Sequence, residues 1–126
     1  MLNRFFSNTL YVQIRKNAFR VRNIENKVER EISAPKPFTT TRLLIGQFQE
    51  ADALLRKVVR DIGRRRLLQL SPTILIHPTE MVEGGLSEIE ERTFLELGRG
   101  VGARKVVIHV GAPLTDGEVE TAVYGK

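Results

Sequence analysis

Three short runs open the chain, Leu10–Arg15, Ala18–Ile24 and Val28–Ile32. In the second, Phe19 and Val21 alternate with Arg20 and Arg22, the period-2 signature of a strand with one wet face. Lys16-Asn17 and Glu25-Asn26 fall where hairpin turns belong, because asparagine tolerates the left-handed backbone of a tight turn. The pattern predicts an antiparallel three-stranded meander. Pro35 and Pro37 then interrupt regular structure, since proline cannot donate to a ladder, and Ala34 to Thr41 reads as a loop.

From Gln47 to Ile62 the period changes. Phe48, Ala51, Leu55, Val58 and Ile62 recur at three- and four-residue spacing, Leu54 and Val59 widen the stripe, and Gly63 is a natural stop. Thr73 to His77, ended by Pro78, is an unbroken apolar or β-branched run, as a strand buried on both faces requires. Ser87 opens a second helix, with Glu90 three residues on to complete a capping box, and Ile89, Thr93, Leu97 and Val101 mark its face. Lys105 to Val110 is a last apolar strand. Beyond Gly111 the pattern is weak, with room for a short element from Val119 to Tyr124. The order βββ-α-β-α-β predicts an α/β fold, a mixed sheet with helices packed on it.

The 126 residues suit one compact domain, and 41% hydrophobic with 28% charged residues is too apolar for disorder. The absence of cysteine excludes disulfides, thiolate metal sites and cysteine nucleophiles. No apolar run approaches the ~20 residues that span a bilayer, and Met1 to Leu10 lacks the long apolar segment of a secretory signal, so a cytoplasmic location is expected. Charge is split along the chain. Residues 1–70 carry 15 Lys/Arg against 6 Asp/Glu, whereas residues 71–126 carry 5 against 9. Such a two-signed chain can attract an acidic partner to one half, or another copy head to tail.

Four stretches carry a resemblance. They are Met1-Leu2-Asn3-Arg4-Phe5-Phe6-Ser7-Asn8 running into the first strand, Thr73-Ile74-Leu75-Ile76-His77-Pro78, Leu86-Ser87-Glu88-Ile89-Glu90-Glu91-Arg92, and Gly102-Ala103-Arg104-Lys105-Val106-Val107-Ile108. Together they resemble the first large subdomain of MreB, the rod-shape-determining bacterial actin. That family, like Hsp70 and the sugar kinases, has the ribonuclease H-like fold, which the predicted element order matches. The resemblance implies a place in the cell-shape cytoskeleton, and it also marks departures. Where the family's first hairpin reads Asp-Leu-Gly-Thr to hold magnesium and phosphate, this chain has Gln13-Ile14-Arg15-Lys16. Glutamine lacks the acid's charge, and a long side chain at Arg15 stands where phosphate needs close backbone approach. His109-Val110-Gly111-Ala112-Pro113 replaces the family's Glu-Glu-Pro. The second phosphate hairpin and the adenosine-binding subdomain have no counterpart in this sequence. Glu90 aligns with the glutamate that positions water in the family, but its place as the capping-box partner of Ser87 explains it without any nucleotide and is the favoured reading. These features lead us to expect a non-catalytic, cofactor-free interaction module, with a full-length actin-like protein or itself as partner.

Other clusters set the alternatives. Arg56, Lys57 and Arg60 lead into Arg64, Arg65 and Arg66, a basic helix end that complements the helix dipole and would also serve nucleic acid or anionic lipid. No aromatic lies between Phe48 and Phe94 to stack on bases, which weighs against RNA. Leu2, Phe5 and Phe6 form an apolar tip suited to peripheral contact at the inner face of a membrane. His77 and His109 fall at the C-terminal ends of predicted strands, where open α/β sheets bind ligands, with Glu80 as a possible third metal ligand. Their spacing matches no metal motif, and no bound metal is expected. A residual ATP binder using Lys16 and Glu90 is the remaining alternative.

Overall fold

A computed structural model describes residues 7–63 and 71–125. Five strands form one sheet: β1 (Thr9–Arg15), β2 (Ala18–Asn23), β3 (Glu29–Ser33), β4 (Thr73–Pro78) and β5 (Lys105–Ile108). Among the described residues three helices accompany them: α1 (Phe48–Gly63), α2 (Glu88–Gly100) and α3 (Asp116–Tyr124). The strand order is β3-β2-β1-β4-β5. β2 is antiparallel to β1 and β3, whereas β1, β4 and β5 run parallel. This strand order and direction is the mixed sheet of the ribonuclease H-like fold.

The pleat divides the core in two. Leu10, Val12 and Ile14 of β1 and Ile74 and Ile76 of β4 face α1 and α2, meeting Leu55, Val58, Phe94 and Leu97. Tyr11 and Leu75 face the other way and pack with Val119 and Val123 of α3. All six residues of β4 are buried, which explains its continuous apolar run. α1 and α2 form where the periodicity placed them. The Ser87–Glu90 capping box is present in both directions, Ser87 N–H to Glu90 Oε1 at 2.9 Å and Glu90 N–H to Ser87 Oγ at 3.2 Å.

Several expectations change in detail. The third strand runs Glu29–Ser33, one residue later than Val28–Ile32, because the turn before it is built differently. Asn17 takes the left-handed conformation at φ 58°, as expected, but in the second turn Lys27 does so at φ 65°. There Asn23 Oδ1 accepts from the N–H groups of Glu25 and Asn26 at 3.0 and 3.1 Å, and Asn26 Oδ1 accepts from Val28 N–H at 2.9 Å. β5 stops at Ile108 rather than Val110, since His109 turns to donate from Nε2 to Ala112 O at 2.8 Å. The weakly patterned tail is a helix longer than Val119–Tyr124. It begins at Asp116 behind a second capping box, Thr115 with Glu118.

That tail helix is held at both ends. Asp116 Oδ1 and Oδ2 accept from Arg22 Nε and Nη2 at 3.0 and 3.1 Å, and Lys27 Nζ adds a bond of 2.8 Å. Arg22 foremost, with Lys27, holds the Asp116 carboxyl down at about 2. At the other end Lys105 Nζ donates to Val123 O at 2.6 Å, and the Tyr124 and Thr9 hydroxyls meet at 2.6 Å.

Two substitutions test this packing. A Cβ at Gly98 of α2 would lie 2.6 and 2.9 Å from the Cγ atoms of Val106 in β5. Overlap outweighs the ~1 kcal/mol that alanine gains in helix propensity, so Gly98→Ala should destabilise by ~1–2 kcal/mol in urea titrations, with partial recovery in Gly98→Ala/Val106→Ala. Asp116→Asn should cost ~1–2 kcal/mol by the same measurement, because two cations lose their shared carboxylate.

Candidate functional site

The C-terminal ends of β1, β4 and β5 lie side by side, because these three strands are parallel. The β1–β2 hairpin, the residues after β4 and the loop after β5 therefore converge on one rim, the usual ligand position of an open α/β sheet.

The hairpin is tied to the β4 side through its backbone. Thr79 donates from both N–H and Oγ1 to Ile14 O, at 2.9 and 3.0 Å. Glu80 Oε1 accepts the Lys16 N–H at 2.6 Å. On its other side, Asn17 Oδ1 accepts from the N–H groups of Phe38 and Thr39 at 2.9 and 2.8 Å, which docks the loop that buries Phe38 on Phe19. Arg15 pairs with Glu31 of β3. Gln13 sits in register between Arg20 and His77. The hairpin thus presents no open cradle of backbone donors, because a carboxylate of this chain occupies the Lys16 amide.

His77 is 1% exposed and fully engaged. Its Nε2 lies 2.9 Å from Gly111 O, and its Nδ1 lies 2.8 Å from the Tyr11 hydroxyl. A carbonyl only accepts, so Nε2 carries the proton, and Nδ1 accepts from Tyr11 O–H. The Tyr11 oxygen in turn accepts from Leu114 N–H at 3.0 Å. Burial pushes the His77 imidazole below its ordinary range; the bond to Gly111 opposes this, and nearby His109 adds to it. Burial also raises the Tyr11 phenol, with the Leu114 N–H pulling back. The ring of His109 stands edge-on to His77 with centroids 4.6 Å apart. With Nε2–H committed to Ala112 O, His109 keeps its lone pair on Nδ1.

The predicted proximity of His77 and His109 is therefore present, but the metal grouping with Glu80 is not. Both nitrogens of His77 are used, Glu80 serves the hairpin, and no group of three or more His, Cys, Asp or Glu residues suited to a metal occurs among the described residues. Glu90 works as a helix cap. Leu2, Phe5, Phe6, Arg64, Arg65 and Arg66 lie outside the described residues. Arg56 and Arg60 project from α1; Arg56 Nε donates to Asp52 Oδ2 at 2.8 Å. Both line a cavity of about 410 Å³ at the opposite end of the sheet, between the C-terminal ends of α1 and α2. Among the described residues no helix is long and apolar enough to cross a membrane. Sequence reasoning did not find Tyr11, whose hydroxyl links β1, β4 and the loop before α3, because a strand pattern reports a residue's face and not its polar tip.

The sealed histidine makes stability depend on pH. The unfolded imidazole takes up a proton near pH 6.5, while the folded ring, with its lowered pKa, resists protonation. The unfolded state thus binds more protons below about pH 6.5, and stability declines as pH falls from 7.5 toward 5. Thermal melts should drop by roughly 2–6 °C across that interval, with a flatter profile in His77→Gln. An unchanged slope in the variant would assign the effect elsewhere.

No family model matches the sequence. Among solved structures, a PPX-GPPA enzyme of Aquifex aeolicus aligns with a TM-score of 0.48 at 15% identity, over 82% of this chain and 36% of that one. An exopolyphosphatase of Cytophaga hutchinsonii aligns at 0.49 and 12% identity, over 83% of this chain and 35% of that one. The chain thus spans about a third of each of those proteins. A relative at much higher identity is the Escherichia coli (strain K12) protein YjaA, 38% identical over 101 residues, or 76% of this chain and 78% of that protein. With four-fifths of so similar a protein covered, the chain belongs to the YjaA family.

Proposed function

We propose that this chain is a non-catalytic interaction module of actin-like fold, working with the cell-shape machinery by docking on MreB filaments or on copies of itself. One observation carries the reading: the Glu80 carboxylate holds the Lys16 N–H at 2.6 Å, in the hairpin where a related ATPase would receive phosphate. An anion bound there would have to displace an internal carboxylate and then sit beside it, an arrangement opposed by like-charge repulsion. Gln13 offers no charge to a magnesium ion. The rim of the sheet is closed by its own side chains, which favours a role carried by the outer surface. That surface bears exposed apolar side chains next to one another, Ile89 at 74% exposed and Leu43 at 38%.

Two measurements test the reading together. Purified chain should co-sediment with full-length MreB filaments, with capture unaffected by nuclease. Magnesium-ATP at millimolar concentration should leave the melting temperature unchanged. A magnesium-dependent rise of several degrees that disappears in Lys16→Ala would instead identify a nucleotide binder. Capture that vanishes with nuclease, and with Arg64→Ala/Arg65→Ala/Arg66→Ala, would identify a nucleic-acid module.

A further inference from the structure

The two ends of α2 differ in shape and charge. At its first turn Ile89 is 74% exposed, beside the half-exposed Leu43. Glu88, Glu90 and Glu91 surround it. Glu90 is engaged in the cap, while Glu88 and Glu91 are exposed and form no ion pair among the described residues. Arg92 lies one turn on and leaves this end net acidic. At the far end of α2, the cavity of about 410 Å³ has apolar walls from Leu10, Val59, Ile62 and Val101, with Arg56 and Arg60 at its edge. The bare Gly100 lets the Asp52 and Arg56 side chains pack against its backbone: a Cβ there would fall 2.5 Å from Asp52 Oδ1 and 3.2 Å from Arg56 Nη2. Asp52 Oδ2 aligns Arg56 through its Nε, and one carboxylate against two guanidinium groups leaves the cleft net basic.

We propose that copies of this chain associate head to tail, the Ile89 end of α2 in one copy seating in the cleft at the Gly100 end of α2 in the next. The occupant is a second copy because this chain carries both halves of the match: an apolar knob with free carboxylates, and an apolar cleft with arginines. The 13 residues of α2 separate knob from cleft by ~20 Å of rigid helix, so no copy can fill its own cleft. Stacking the ends also sets the positive N-terminus of one helix against the negative C-terminus of another. Because the two surfaces are different, the contact is heterologous and propagates into open strings unless the rotation happens to close a ring. A single knob covers less area than a stable dimer needs, so association is weak and rises with concentration. The inference rests on the reading of the chain as an interaction module and names one partner for it.

Sedimentation velocity of the full chain should show weight-average mass rising between ~10 μM and ~1 mM, and falling with added salt. Ile89→Asp removes the knob and leaves the cleft; Arg56→Glu/Arg60→Glu removes the cleft charge and leaves the knob. Each variant alone should remain monomeric, with a circular dichroism spectrum like that of the parent. Mixed, they should give a one-to-one pair and nothing larger, since only one productive contact remains. If the double variant fails to fold, Arg60→Glu alone takes its place. A parent chain that stays monomeric at 1 mM, a single variant that still assembles, or a mixture that stays monomeric overturns the proposal. A monomeric parent that still pellets with MreB filaments would overturn self-association alone; failure of both experiments would overturn the module reading as well.

Discussion

The parallel pairing of β1 with β4 is the constraint from which the rest of the molecule follows. Thr9 to Ile14 lie in register with Thr73 to Pro78, and both strands are buried on both faces. Two parallel strands cannot be joined by a tight turn, so β2, β3 and α1 must be accommodated in the connection between them. The same register fixes the chemistry at the rim. With Ile14 opposite Pro78, the next residues of the two strands have nowhere to go except against each other, and Thr79 and Glu80 bond to Ile14 O and Lys16 N–H. The alignment that builds the core therefore also closes the hairpin.

The pairing also explains why α3, a poor helix by its own sequence, is ordered. Its apolar contribution to the core is essentially Val119 and Val123, one i,i+4 pair, which is little for nine residues. The deficit is met by polar contacts at its ends. Asp116, in the first turn, suits the positive end of the helix and collects Arg22 and Lys27 from the β2 side of the sheet. At the other end Lys105 serves a terminal carbonyl, and Gly125 takes the left-handed conformation at φ 74° to finish the turn. The connection before α3 is anchored from below by His77 and Tyr11, through Gly111 and Leu114. Strand chemistry and helix docking are thus one network.

What the sequence revealed follows this division between apolar and polar causes. α1 and β4 were legible because burial leaves a periodic or unbroken apolar trace, and the Ser87–Glu90 box was legible because both partners lie within four residues. The neighbouring histidines could be foreseen once their strands were taken as adjacent. Thr115 and Glu118 have the same spacing as Ser87 and Glu90, yet without a strong apolar stripe after them the signal did not stand out. Contacts such as Glu80 to Lys16, 64 residues apart, and Tyr11 to Leu114, 103 apart, depend on register that no local pattern encodes. The site was legible as a place and illegible as a set of bonds.

The distribution of unsatisfied potential then separates the two ends of the sheet. At the C-terminal rim the Lys16 amide and both ring nitrogens of the buried His77 are already partnered within the chain. At the opposite end an open cleft retains two exposed guanidinium groups, and Asp52 Oδ1 is buried there without a hydrogen-bond partner. Exposed guanidinium donors can take up an incoming acceptor at little cost, whereas a saturated network offers an incoming group nothing it does not first have to break. Among the described residues, the charge left open to solvent around a concave surface therefore lies at the helix ends, away from the largely saturated C-terminal rim.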